Sequence, residues 1–139
     1  MYDRISRQGS ASVVKIVTSM SPGSAGWPEC SPHGVIVLVS VIAPYAGARD
    51  AVRDDHGRLG IPFGEVHVAT PLAVAEARDV KGLYARARRG ELKGLTGVDD
   101  PYEVPTQAEL VVDTARVDLD TAVEMSKALL AAIVERDFG

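Results

Sequence analysis

Apolar residues in this chain fall into short runs separated by proline- and glycine-rich breaks, and their periodicity assigns most of the regular elements. Residues 12–18 are short and β-branched, which predicts a strand. Residues 19–34 then hold three prolines and three glycines, so no regular element is expected there. Residues 35–42 are almost continuously apolar and do not alternate, as in a strand covered on both faces of a parallel sheet. Pro44 ends that run, and the mixed, charged residues 46–57 predict a helix stopping near Gly57.

The second half repeats the pattern. Residues 65–69 predict a strand, stopped by Thr70 and Pro71. Thr70 as cap and Pro71 as first helical residue start a helix through Ala77, because proline's missing N–H would be unpaired there anyway. Residues 80–90 predict a further helix ended by Gly90. Residues 91–107, with Gly94, Gly97, Pro101 and Pro105, read as an ordered loop. Residues 109–113 predict a strand. A final helix is expected over 118–135, with Leu119, Ala122, Val123, Ser126, Leu129, Leu130 and Ile133 in one stripe. Strands alternating with helices predict an α/β three-layer sandwich with a parallel sheet.

A chain of 139 residues, 46% of them apolar, makes one domain with a core of its own. Its single cysteine, Cys30, cannot form an internal disulfide, and the longest apolar run is too short to cross a bilayer. The first four residues have no charged-then-apolar signal layout, so a cytoplasmic protein without a membrane partner is expected.

Charge is distributed unevenly. Between Arg78 and Lys93 six cations (Arg78, Lys81, Arg86, Arg88, Arg89, Lys93) meet only Asp79 and Glu91, a local +4 in a chain of net −4. The remainder therefore carries −8, which speaks against nucleic acid and for one anionic ligand held at one place.

Two long motifs turn that island into a family resemblance. Ala75-Glu76-Ala77-Arg78-Asp79-Val80-Lys81-Gly82-Leu83-Tyr84 and Gly94-Leu95-Thr96-Gly97-Val98-Asp99-Asp100-Pro101-Tyr102-Glu103 resemble adenylylsulfate (APS) kinase. Weaker matches are Ile42-Ala43-Pro44-Tyr45, Arg49-Asp50 and residues 109–114. That family transfers phosphate from ATP, with Mg2+, to the 3′-hydroxyl of adenosine 5′-phosphosulfate in sulfate assimilation. The resemblance implies a P-loop kinase fold in residues 34–139, with a lid at about 80–105 closing over both nucleotides. Ile42, Ala43, Lys81, Gly94 and Leu95 would contact the sulfated nucleotide, and Arg78 would lie near the adenine of ATP. It also implies a homodimer or an association with sulfurylase subunits. A lid carrying Arg and Lys suits phosphoryl transfer, which needs positioning and charge neutralisation.

The phosphate cradle of that class is missing from the sequence. No Gly-Lys-Ser or Gly-Lys-Thr occurs, and the nearest counterpart is a degenerate loop at 18–26 after the strand at 12–18. There Pro22 replaces a glycine and Ala25 stands near the lysine position, removing an N–H donor and a charge. Residues 1–33 thus form an atypical N-terminal segment, and the domain reads as truncated and impaired in catalysis. A non-catalytic nucleotide- or partner-binding remnant is the alternative. Because the corresponding strand is central in that class, residues 13–18 are expected to fill the middle of the sheet, where unpaired backbone groups would cost ~1–3 kcal/mol each.

Departures also touch the substrate positions. Leu95 stands where the resemblance implies a phenylalanine stacking on adenine, Ala43 where it implies serine, and Ala46 where it implies arginine. Other chemistry-bearing residues have ordinary readings. Asp99-Asp100-Pro101 reads as a turn, His56 and His67 lack metal-spaced partners, Cys30 lacks a base, and Arg86, Arg88 and Arg89 form a solvated helix face. No catalytic or metal-ligating residue is assigned.

Overall fold

The computed structural model describes residues 13–18, 36–79 and 81–138. In chain order these form β1 (Val13–Thr18), β2 (Ile36–Val41), α1 (Ala46–Arg58), β3 (Phe63–Val68), α2 (Leu72–Ala77), α3 (Leu83–Arg88), β4 (Leu110–Val112) and α4 (Leu119–Phe138). The predicted elements are present, with ends shifted by a few residues. Pro71 occupies the cap position of α2 and is not its first helical residue.

The strands form one sheet in the order β2-β1-β3-β4. β3 and β4 are parallel, with Val66 opposite Leu110 and Val68 opposite Val112. β1 fills the middle of the sheet as expected, with Val14 between Ser40 and Val66, but it runs antiparallel to both neighbours. β2, β3 and β4 thus run in one direction, as the parallel-sheet reading expects, and β1 is the reversed strand among those described. A parallel pair needs a crossover of a dozen or more residues, usually helical, whereas an antiparallel pair needs only a turn. The breaker-rich stretch after β1 offers no predicted helix for a crossover.

The direction of β1 has a second effect. Thr18, its last residue, lies opposite Ile36, and Val17 lies opposite Phe63. β1 thus stops at the end of the sheet where β2 and β3 begin, away from the end where β3 stops.

β3 is buried on both faces. Its side chains alternate, so Phe63, Glu65 and His67 share one face and Val66 and Val68 the other. Val66 joins Val112 and Ile133 in a core completed by Leu110, Val117, Ala122, Leu129 and Leu130, which places α4 on that face. The Phe63–Glu65–His67 face is covered by α1 and the segment around Tyr102. Helix, sheet and helix therefore make three layers at β3, as the α/β reading expects.

Two burial expectations fail at the margins. β2 alternates between exposed and half-buried positions, with Leu38 58% exposed, because it lies at the sheet edge and the helices pack mainly on β1, β3 and β4. Leu119 and Val123, predicted in the core stripe of α4, are 73% and 44% exposed: Leu119 precedes Ala122, the first α4 residue packed on the core, and Val123 lies beside the packed residues Ala122, Leu129, Leu130 and Ile133 without joining them. No helix among the described residues is long and apolar enough to cross a membrane.

Candidate functional site

The odd-numbered face of β3 anchors the site. Glu65, 3% exposed, faces two arginines of α1 one turn apart. Arg49 Nε stands 3.2 Å from Glu65 Oε1, in an ion pair without the alignment of a hydrogen bond, and Arg53 Nη2 donates to Glu65 Oε2 at 3.2 Å. Arg53 also pairs with Glu109, just before β4, and donates to the Gln107 carbonyl at 2.9 Å. Burial works against the Glu109 charge, but hydrogen bonds from Arg53 and from the Glu65 backbone N–H hold its carboxyl below the usual range.

Arg49 reaches further. It is 2% exposed; Nη1 donates to the Ala43 carbonyl at 2.6 Å and Nη2 to the Glu103 carbonyl at 2.7 Å. Three more bonds tie the same two segments together. The Glu103 N–H donates to the Pro44 carbonyl at 2.8 Å, the Ala46 N–H to Glu103 Oε2 at 2.5 Å, and the Tyr45 hydroxyl to Asp100 Oδ1 at 3.1 Å. The two motifs at 42–45 and 94–103, far apart in sequence, thus meet in space.

A cavity of about 370 Å³ opens beside this junction, at the end of the sheet where β3 stops. His67, Thr70, Ala75, Thr96, Gly97 and Tyr102 are among its lining residues. The His67 and Tyr102 rings stack with centroids 5.8 Å apart and 20° between planes, and Arg49 lies 5.8 Å over the other ring, Tyr102. Burial first, then the Arg49 charge, holds the His67 imidazole below its ordinary value. Ligand sites of open α/β sheets favour this carboxyl end of the strands.

The loop forming the cavity rim is built on Asp99. Its carboxylate accepts the N–H groups of Gly94 and Leu95, each at 2.7 Å, and those two bonds hold it below the usual carboxylate range. The turn reading of Asp99-Asp100-Pro101 agrees with this geometry. Gly97 has φ +85°, and a Cβ there would sit 3.5 Å from Leu72, so the rim folds closely onto α2.

Of the six sequence-predicted site residues, none lines the cavity directly. Gly94 and Leu95 precede its rim residue Thr96, and their backbone N–H groups are engaged by Asp99. Ala43 and Ile42 lie at the junction end, Ala43 through its carbonyl. Arg78 Nη1 and Nη2 donate to Thr114 Oγ1 and O, both at 2.9 Å, and Thr114 in turn bonds the cavity residue Thr70 at 2.5 Å. Lys81 is exposed in the turn before α3. That turn is built on Gly82 at φ +65°, while Asp79 receives the N–H groups of Leu83 and Ala85. Arg86, Arg88 and Arg89 pair with Glu76 and Glu91 on the surface, as a solvated face does.

Residues 28–113 match the family model for adenylylsulphate kinase, most of the chain. The chain belongs to the adenylylsulphate kinase family. An adenylyl-sulfate kinase from Shewanella denitrificans is 53% identical over 102 residues, which are 72% of this chain and 48% of that protein. A probable adenylyl-sulfate kinase from Synechocystis sp. is 55% identical over 91 residues, 66% of this chain and 49% of that protein. A sulfate adenylyltransferase from Neosartorya fischeri is 52% identical over 88 residues, 63% of this chain and 15% of that protein. This family member thus spans about half the length of the kinases it matches.

An adenylylsulphate kinase implies ATP and Mg2+. Among the described residues no group of three or more His, Cys, Asp or Glu side chains could hold a metal ion, and the degenerate loop at 18–26 lies, apart from Thr18, outside them. Cys30 also lies outside the described residues.

Two residues at this site leave little signal in the sequence. Arg49 was a minor part of the motif matches, and its role needs the long-range contacts with Glu65 and Glu103. His67 read as structural, yet it is the aromatic neighbour of Tyr102 in the cavity wall. Its period-2 register with Phe63 and Glu65 was the available signal.

Proposed function

We propose that this chain is an adenylylsulfate kinase module that keeps the acceptor-nucleotide side of the site and, as these 139 residues alone, is impaired in phosphoryl transfer. The reaction of the type is ATP plus adenosine 5′-phosphosulfate giving ADP plus 3′-phosphoadenosine 5′-phosphosulfate. Ile42, Ala43, Lys81, Gly94 and Leu95 serve the sulfated nucleotide and Arg78 serves ATP. Residues 80–105 act as the lid, in a domain covering 34–139. The observation that carries acceptor binding is the junction of 43–46 with 100–103 beside the cavity.

Impairment rests on the polarity of β1. A phosphate cradle is a turn directly following its strand, with backbone N–H groups converging on the anion. Here the strand stops at Thr18 beside the starts of β2 and β3, and the cavity lies past the end of β3. Six residues of strand separate those ends, roughly 20 Å at the usual rise. A loop such as 18–26 would need about six extended residues to bridge that distance, which leaves too few to form a turn of converging N–H groups.

Calorimetry with adenosine 5′-phosphosulfate and with ADP, beside a coupled assay with MgATP, tests both parts. Binding without turnover is expected. Ordinary turnover by the 139-residue chain would overturn the impairment, and no resolvable heat with either nucleotide would remove the binding role.

A second reading is a non-catalytic remnant that docks on a sulfurylase. The match to a sulfate adenylyltransferase favours it, since the matched segment is a small part of that longer polypeptide. Size-exclusion chromatography with a sulfurylase decides: separate elution at micromolar concentrations counts against it.

A further inference from the structure

We infer that Arg49 is the positioning residue of the acceptor site: its guanidinium pins the strand-end motif at 43–46 to the loop at 100–103, and so fixes the cavity wall. The inference deepens the binding role proposed above and rests on it.

The geometry separates this role from ordinary ion pairing. A buried Arg–Glu pair is poor evidence of stability, because desolvation can exceed the attraction, and a well-packed apolar pair often does as well. Arg49 does more than neutralise Glu65. Its nitrogens face acceptors on three different elements: Glu65 on β3 at 3.2 Å, the Ala43 carbonyl after β2 at 2.6 Å, and the Glu103 carbonyl in the rim loop at 2.7 Å. Only a planar fork with donors in fixed directions meets three such partners, and a lysine ammonium would not. The guanidinium also lies 5.8 Å over the Tyr102 ring, whose other neighbour is His67 in the cavity wall. Arg49 is not among the residues lining this cavity, so it acts through Ala43, Tyr102 and Glu103.

The arrangement also explains why this end of the sheet tolerates a buried charge. Without the guanidinium, the Ala43 and Glu103 carbonyls would lose their donor, and Glu65 would keep Arg53 alone. Leaving such groups unpaired is what makes a half-removed polar network costly.

The test is Arg49→Lys in the full chain, with adenosine 5′-phosphosulfate and ADP titrated by calorimetry and amide exchange followed at Ala46, Glu103 and Val117. The Ala46 and Glu103 N–H groups bridge the junction, whereas the Val117 N–H bonds the Asp113 carbonyl away from it and from the cavity. Expected are a loss of tenfold or more in affinity for the sulfated nucleotide, ADP affinity within twofold, and faster exchange at Ala46 and Glu103 but not Val117. Parallel loss for both nucleotides with uniformly faster exchange would mean a structural role only and overturn the inference. So would unchanged affinity.

If Arg49→Lys does not fold, the wild-type chain still decides. Binding of the sulfated nucleotide should slow exchange at Ala46 and Glu103, and a bound state that leaves them unchanged overturns the inference. A wild-type chain that gives no heat with the sulfated nucleotide defeats the binding role itself, a result distinct from normal wild-type binding with an unaffected variant.

Discussion

Glu103 caps helix α1 from across the fold, its carboxylate accepting the N–H of Ala46 at 2.5 Å. The helix has no local alternative: the residue at its cap position is Tyr45, which makes no side-chain capping bond, and its first turn holds no acid. An anion at this end also suits the helix dipole. The loop and the helix start are therefore one structural unit.

Glu103→Ala is expected to destabilise the chain by about 1 kcal/mol, the usual loss for an N-terminal cap. The backbone carbonyl that Arg49 uses stays in place, so the variant isolates the cap. Urea melts should show a lower midpoint with an unchanged slope, and Glu103→Gln should recover part of the loss.

Leu95→Phe is expected to tighten binding of adenosine 5′-phosphosulfate. Leu95 is half-buried beside the cavity rim, and its N–H is held by Asp99, so the backbone stays in place when the side chain changes. An aromatic contact is worth about 1 kcal/mol, roughly fivefold in Kd. Calorimetry measures this directly, and equal or weaker binding would remove Leu95 from the site.

Acidification should destabilise the chain in two stages. The folded-state value of His67 lies below the ordinary 6.5, so as pH falls past 6.5 the unfolded chain takes up a proton first and stability declines. Arg49, Glu65 and Tyr102 are the charged and titratable groups facing it. Glu109, facing Arg53 and the Glu65 N–H, has a folded value below the ordinary 4.5. Its contribution is present above 4.5 and disappears as pH falls through the depressed folded value. Denaturant melts between about pH 3 and 8 check this: His67→Gln should flatten the upper stage and Glu109→Gln the lower.

Much of this was legible in the residues because the signals are local. The β-branched runs, the stop at Thr70 and Pro71, and the stripe of Leu129, Leu130 and Ile133 each predict an element from its own neighbours, whereas the breakers at 19–34 lie outside the described residues. The direction of β1 was not legible, since Val13–Thr18 pairs equally well in either sense and periodicity carries no polarity. Nor was the edge position of β2, whose apolar run imitates a strand covered on both faces. Arg49 stands in a short, weaker match that gives no hint of its role, because its partners Glu65 and Glu103 are 16 and 54 positions away. A side chain that works by joining distant segments leaves little trace in either segment.

The reversed central strand bears on any attempt to re-engineer the chain. Writing the missing motif back, with glycine at Pro22 and lysine at Ala25, would restore its letters while β1 still ended beside Ile36 and Phe63. Such a repaired chain is expected to give no turnover in a coupled MgATP assay. A graft that replaced the whole strand together with its turn and following helix would be the smallest change able to work, because the deficit is one of direction before it is one of residue type.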